Sequence, residues 1–459
     1  MSTGSPSDSA NRPTVLTGWG RTSPSSAYLV PVNDEAGAID DVLNVKERGV
    51  LARGLGRSYG DSAQNAGGLV LDMTGFNQVV SFDSITGIVD VEAGISIDSL
   101  ISLFLPQGWF VPVTPGTRLV TVGGAIAADI HGKNHHIAGS FGNHILSLDL
   151  LFADGQVRTL SPHQDPEKFW ATVGGMGLTG VILRARVQLT KVASSSINVE
   201  TKRANNLDEL MSFQIDLENK HPYCVAWIDC LSKNERLGRG VITAGGFAEI
   251  SDLPHKQGLD PLSYEPAKPI SAPSMAPSGL LNRWSVAAFN EGWFRKAPKH
   301  RENEIQSMAT FFHPLDGVAG WNALYGRAGF IQYQFVVPEH SAEVVRTAIE
   351  KLSGIGAASF LAVLKRFGAA NPAPMSFPMP GWTLALDIPT GIVGLSRVLD
   401  DLDELVASAG GRVYLAKDSR MRPELLPTMY PRIGEWNHTR DVMDPQHRFA
   451  SDQARRLNR

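Results

Sequence analysis

Three glycine-rich segments, all before residue 181, have the composition a backbone needs to lie against a phosphate or a flat ring. The first, Arg53-Gly54-Leu55-Gly56-Arg57-Ser58-Tyr59-Gly60-Asp61-Ser62, follows a strand-like run. Its glycines let successive N–H groups converge on an anion; a plain structural turn is the competing reading. It is not closed by a helix and acidic residue into a dinucleotide fingerprint, nor ended by Gly-Lys-Ser/Thr as a P-loop. The second runs from Pro115-Gly116-Thr117 through Thr121-Val122-Gly123-Gly124-Ala125-Ile126-Ala127-Ala128-Asp129-Ile130-His131-Gly132. Its small residues suit either a cofactor on the backbone or a tight helix contact. The third, Gly174-Gly175-Met176-Gly177-Leu178-Thr179-Gly180, leads into a strand. Taken alone, His131 reads as a capping or exposed histidine. Lys417, between an apolar run and Asp418-Ser419-Arg420, is a surface charge if solvated and a base if desolvated, because burial disfavours the ammonium. His135 and His136 are adjacent and face different directions, so structural roles are expected and no metal site is read.

A chain of 459 residues exceeds one ordinary core, so two or three units with a pocket between them are expected. A net charge of -4 with 19% charged residues leaves no electrostatic footprint for nucleic acid. Cys224 and Cys230 are too few for a disulfide framework and read as buried or semi-buried thiols. The polar opening MSTGSPSDSANR lacks the apolar stretch of a signal peptide, and no run approaches the roughly 20 apolar residues of a membrane span. Membrane contact is therefore expected to be peripheral, on the cytoplasmic side of the plasma membrane, with the periplasmic side as the alternative.

Elements must hold these loops. Apolar spacing predicts a helix over 36–46, a strand over 50–53, strands at 79–82 and 87–91, and a helix over 97–105. Ala153-Asp154-Gly155 predicts a type I′ hairpin between strands 147–152 and 156–160, followed by a strand over 181–189. The pattern is α+β, not a doubly wound βαβ repeat. After Lys191, longer polar-apolar alternation predicts a second domain, with strands at 329–337 and 382–388 and a helix over 393–407 stopped at Gly410-Gly411. Six prolines between 254 and 277 predict a long irregular, mobile loop. Trp284, Phe289, Trp293 and Phe294 are expected in the core, and Arg455 to Arg459 as a solvated helix end.

In this order the three loops resemble the flavin domain of the vanillyl-alcohol-oxidase (p-cresol-methylhydroxylase-type) family. Tyr430-Pro431-Arg432, Trp436, Asp444-Pro445 and Phe449 resemble its closing segment. Leu16 to Arg21, His131 to His136, Gly139 to His144, Gln332 to Phe335 and Ala416 to Arg420 are similar to an actinobacterial branch of that family. Members of that branch oxidise the ribose 2′-hydroxyl of decaprenylphosphoryl-β-D-ribose to a ketone. The resemblance implies a two-domain α+β fold: an FAD domain over 7–191, an antiparallel-sheet substrate domain over 192–411, and a segment 412–459 returning to the FAD domain. It implies non-covalent FAD contacted along Arg53 to Ser62, at Gly116, Thr121, Val122, Gly123, Gly124, Ala128, Asp129, Ile130 and His131, and at Ile182 and Tyr414. The third loop would help enclose the flavin.

On the substrate side the resemblance implies His131, Lys133, Gln332, Gln334, Lys365, Ala385 and Lys417. Lys417, with His131, would serve the chemistry as base or hydroxyl-orienting group, while Lys133 and Lys365 hold the phosphate. The prenyl tail would leave past 254–277 as a gate. Two positions depart from the branch: Phe312 stands where mycobacterial relatives have a tyrosine, and Ala385 where they commonly have a cysteine. An NADH-dependent reductase would complete epimerisation to the arabinose for cell-wall arabinan, with quinone or oxygen reoxidising the flavin. A soluble alditol or aldonolactone oxidase and a non-catalytic flavin or lipid carrier are the rival readings.

Overall fold

The computed structural model describes residues 12–265, 270–271, 282–357, 359 and 361–459. Its N-terminal half holds two sheets. Ser25–Pro31, Leu69–Asp72 and Val50–Arg53 run parallel, with Thr14–Leu16 antiparallel at one edge. Val79–Asp83, Ile88–Glu92, Val181–Gln188, Ile145–Leu151 and Val157–Leu160 form a second, wholly antiparallel sheet in that order. The predicted first helix is Glu35–Leu43, where the Asp34 side chain accepts from the Gly37 N–H. Helix Ile97–Phe104 is capped the same way by Ser96. Two of the three glycine-rich segments leave or enter a sheet end: 54–62 follows strand Val50–Arg53, and 174–180 precedes strand Val181–Gln188.

The hairpin at 153–155 forms with a different turn. Gly155 has φ of +80° and Asp154 is not among the positive-φ residues. The Gly155 N–H closes on the Phe152 carbonyl, and the Phe152 N–H donates to Gln156. A type I′ turn needs two left-handed residues; one left-handed glycine after a closed turn suffices for this longer loop.

The second domain is built on eight antiparallel strands: 300–307, 196–204, 240–247, 223–228, 362–367, 381–389, 330–337 and 412–413. Alternation decides its faces. Ala226, Ile242, Phe335, Leu364 and Leu384 are buried under helices Leu207–Glu218, Glu343–Gly354 and Leu395–Ser408. The opposite face carries Trp227, Val363, Lys365, Ala385, Gln334 and Gln332, brought side by side by strand register. The two-domain α+β architecture is thus the one the resemblance implied.

After Gly410, whose φ is +73°, the chain adds strand 412–413 to this sheet and crosses back. Helix Ile433–Met443 lies on helix Pro166–Thr172, where the Trp436 indole donates to the Ala171 carbonyl at 2.9 Å. Phe449 bridges Val50. Cys224 and Cys230 are buried free thiols, as expected.

Two surface expectations are corrected. Arg455 to Arg459 is not a solvated end: Arg456 pairs with Asp61 and Asp418 at 2.8 Å, and the Arg459 guanidinium lies 4.4 Å over Trp436. The aromatic set 284–294 is not core. Trp284 is 81% exposed and Phe289 and Trp293 are each 46% exposed, because helix Arg283–Lys296 buries Val286 and Asn290 instead. Only Phe294 turns inward, between Arg203 and Arg239. Within 254–277, residues 255–258 form a helical turn, and Ser195 anchors the Pro261 and Ser263 carbonyls. Ile270–Ser271 pairs in parallel with Val318–Ala319. The rest of that proline-rich stretch lies outside the described residues.

Candidate active site

A cavity of about 740 Å³ separates the N-terminal loops from the polar face of the large sheet. One wall is Arg53 to Tyr59 and Ser62, Thr114 to Thr117, and Thr121, Gly123 and Gly124; Met176, Gly177 and Gly180 from the third loop and Ile182 join it. The other is Gln332, Gln334, Lys365, Ala385, Tyr414 and Lys417. Ala128, Ile130, His131 and Lys133 line the join.

The first wall fits a dinucleotide-sized anion. Among the described residues, the N–H groups of Gly54, Leu55, Gly56, Arg57 and Ser58 make no hydrogen bond to protein. The Ser62 hydroxyl is buried with no partner among the described residues. Unsatisfied donors of this kind in a cavity wall are what a pyrophosphate would occupy. A Cβ at Gly54 would overlap Thr121, whereas one at Gly116 would meet nothing within 4 Å and project into open space. The Arg53 guanidinium braces the loop, donating to the Ala63 and Thr17 carbonyls. Four predicted contacts do not line the cavity. The Asp61 carboxylate is spent on Arg456, and Gly60 packs against the Asp418 carbonyl. Val122 is core, with its N–H on Ile95. Asp129 is buried on Ser140, Asn371, Ser376 and the Gly142 N–H. These four support the wall from behind.

Three lysines converge on the second wall. Lys133 donates to the Phe311 carbonyl and lies 4.3 Å over the Phe311 ring. Lys365 Nζ is 3.0 Å from His131 Nδ1, and Gln334 Nε2 is 3.1 Å from His131 Nε2. Lys417 Nζ sits 3.8 Å over the Tyr59 ring. All three are half-buried, and the area they expose faces the cavity. Burial, the largest cause, lowers the pKa of each to about 7; Lys133 and Lys417 repel Lys365 further, while Asp387 favours charge on Lys417. Burial and Lys365 hold His131 well below its ordinary value, so its ring is neutral. A neutral ring has one N–H. With Lys365 as the amine, Nδ1–H donates to Lys365 and Nε2 accepts from Gln334.

Lys417 is placed by tertiary contacts. The Tyr59 N–H donates to the Ala416 carbonyl at 2.9 Å, and the Asp418 carboxylate takes the N–H groups of Arg420 and Met421. The Tyr414 hydroxyl donates to the Ala128 carbonyl at 2.7 Å. His135 and His136 are structural: Nδ1 of His135 accepts from the Gly368 N–H, and His136 donates to the His221 carbonyl. Phe312, the first departure, is buried against Phe110, Tyr223 and Phe247. Asp316 bridges the domains, accepting from the Thr117 hydroxyl and the Arg118 N–H.

Sequence reasoning missed Asp387. It is fully buried, one oxygen accepts from the Gln332 amide, and the other has no partner among the described residues. Burial raises its pKa to about 7, against the Gln332 bond and Lys417, which lower it. Strand periodicity carried a signal, since 383, 385 and 387 share a face with Gln332 and Gln334.

A family model described as an FAD binding domain matches residues 32–161. Decaprenylphosphoryl-β-D-ribose oxidase of Mycolicibacterium smegmatis is 48% identical over 447 residues, covering 96% of this chain and 97% of that protein. An uncharacterized protein of Streptomyces coelicolor is 41% identical over 79% of this chain and its own full length. Cytokinin dehydrogenase 2 of Arabidopsis thaliana is 33% identical over 30% of this chain and 28% of its own.

Proposed function

Because the chain belongs to the decaprenylphosphoryl-β-D-ribose oxidase family, we propose that it is an FAD-dependent oxidase that converts the ribose 2′-hydroxyl of decaprenylphosphoryl-β-D-ribose to a ketone. The observation that carries the reading is one cavity with free backbone donors on one wall and three depressed-pKa lysines on the other. Bound FAD supplies the acceptor for the 2′-hydrogen and its electron pair. Gly54 to Ser58, Ser62 and Gly116 would hold the cofactor's phosphates and edge. Lys417 takes the 2′-hydroxyl proton, and its amine form at neutral pH is what permits this. Lys133 and Lys365 hold the substrate phosphate, Gln332 and Gln334 orient the sugar, and Ala385 leaves room beside them. A separate NADH-dependent reductase and a quinone or oxygen acceptor complete the sequence. Among the described residues no helix is long and apolar enough to cross a membrane, and peripheral contact on the cytoplasmic or periplasmic face fits a prenyl substrate.

Anaerobic mixing tests the reaction. The flavin's visible band bleaches on addition of decaprenylphosphoryl-β-D-ribose and persists with free ribose or alditols; bleaching by free sugars would instead favour an alditol oxidase. Both His131 nitrogens are engaged by Lys365 and Gln334, so neither is available for a flavin bond. Acid precipitation is therefore expected to leave the yellow colour in the supernatant, and colour in the pellet would refute non-covalent binding.

The Asp387–Lys417 pair sets the pH response. The base form of Lys417 grows as pH rises through about 7, so kcat/KM rises there. Asp387→Asn removes the charge that favours the ammonium, lowering the Lys417 pKa further. The rising limb is expected to move to lower pH by about one unit. An unmoved limb would show that Asp387 does not act on Lys417.

A further inference from the structure

We propose that Glu200, His300 and Glu302 form a site for zinc, or a chemically similar divalent transition-metal ion, at the edge of the large sheet and on the face away from the cavity. Side-chain alternation fixes that face. Glu200 lies opposite Ala244, in the helix-covered core, whereas the next residue, Thr201, lies opposite Thr243, which lines the cavity. The site therefore stands apart from the reaction proposed above. Strand 300–307 is the outermost of the eight and has a neighbour on one side only. Its register slips as it passes Glu200: Val199 pairs with Glu304 but Thr201 with Arg301, so Glu302 and Asn303 stand together against one residue. Asn303, with φ of +56°, takes up the extra residue, and the bulge leaves His300 and Glu302 both turned to Glu200.

The geometry of the three side chains suits one ion. His300 Nε2 is 3.0 Å from Glu200 Oε1 and 3.2 Å from Glu302 Oε1, and the three ligand atoms all lie within 4.8 Å of one another. Zinc bonds of about 2.0–2.1 Å in a tetrahedron put neighbouring ligand atoms about 3.4 Å apart, so small movements complete the set. An imidazole nitrogen carries at most one proton and serves one of two oxygens well; an ion in the proton's place binds all three atoms. Carboxylates that face each other across neighbouring strands repel, and a divalent cation relieves that repulsion. Glu200 is buried and oriented from behind, with His221 Nε2 3.0 Å from its other oxygen, Oε2. Lys202 Nζ, 3.1 Å from Oε1, competes for that oxygen; it lies 5.5 Å from the Phe213 ring, which offers it a face when the ion binds. His300 and Glu302 are 48% and 57% exposed, which leaves a fourth position open to water. A nitrogen ligand among oxygens favours zinc over magnesium, which prefers six oxygens in near-ideal octahedral array. The bound ion ties the edge strand to its neighbour directly before Met308–Phe312, the turn whose Phe311 carbonyl holds Lys133.

The test is calorimetric titration of the FAD-loaded full chain with zinc chloride and, separately, magnesium chloride, together with thermal unfolding. About one zinc per chain is expected, with Kd on the order of 1 µM because three protein ligands are fewer than the four of a structural site. Unfolding shifts upward with zinc, by mass action, and not with magnesium. His300→Ala and Glu302→Ala are each expected to weaken zinc at least about tenfold. Both should fold, since the side chains are exposed and Glu200 keeps His221 and Lys202. His447→Ala, which removes the exposed His447–Asp441 pair elsewhere on the surface, is expected to leave zinc affinity unaltered. No zinc bound below about 100 µM, or unaltered affinity in either His300→Ala or Glu302→Ala, would overturn the proposal. Loss confined to His447→Ala would overturn it by placing the ion at that surface pair.

Discussion

Lys417→Ala is expected to purify yellow and to lose about 10²–10⁴-fold in kcat, the range positioned proton transfer contributes. The flavin should stay because the free donors of Gly54 to Ser58 and the Ser62 hydroxyl lie on the opposite wall, which Lys417 meets over the Tyr59 ring. Fold should stay because the Asp418 anchors to Arg420, Met421 and Arg456 do not involve the lysine side chain. Lys417→Arg separates the possible roles. A guanidinium keeps the charge but does not release its proton near neutrality, so a base role predicts loss in both variants. A phosphate-holding role predicts a raised KM with kcat nearly preserved, and greater activity in the arginine variant. Unaltered kcat in Lys417→Ala at saturating substrate would pass the chemistry to His131, Gln334 or water.

Gly116→Phe should give a folded, colourless protein with FAD affinity reduced at least about a hundredfold. A Cβ at Gly116 meets no atom within 4 Å and its φ is not positive, so the ring enters the cavity without backbone strain. Gly54 does not offer this test, because a Cβ there overlaps Thr121 and would disturb the loop itself. Thermal unfolding read with and without added FAD checks it. The unaltered protein gains stability on adding FAD by mass action, and the variant gains none while keeping the same unfolding without FAD. A yellow variant of unaltered affinity would show that the space before Gly116 is not the cofactor's.

Strands and loops were legible where the signal is local. Two of the three glycine loops lie at sheet ends, strands 181–188, 330–337 and 381–389 fall within a residue or two of their expected bounds, and helix 395–408 stops at Gly410. Period-two and period-3.6 burial and glycine's freedom at positive φ are properties of a short window, so they can be read from one. The direction in which an element faces is not. Helix 283–296 has aromatics all round, and which arc is buried depended on Arg203, Arg239 and Asp229 waiting beneath Phe294 and Asn290. Arg456 finds Asp61 only after the 395-residue separation between them has been closed by folding.

The site divides along the same line. One-dimensional pattern was enough to expect an α+β chain, and the family resemblance added a flavin-type loop set and a lysine at 417 whose proton affinity burial would lower. It did not reveal the neighbour that pulls the other way. Asp387 stands 30 residues away in sequence, and its partnership with Lys417 exists because strand 381–389 pairs with 330–337 while Tyr59 and Arg456 draw the 416–418 turn over the end of that sheet. Chemical identity is carried by each residue, but a depressed lysine pKa is a property of the low-dielectric space that several distant segments enclose together, and only the packed chain contains that space.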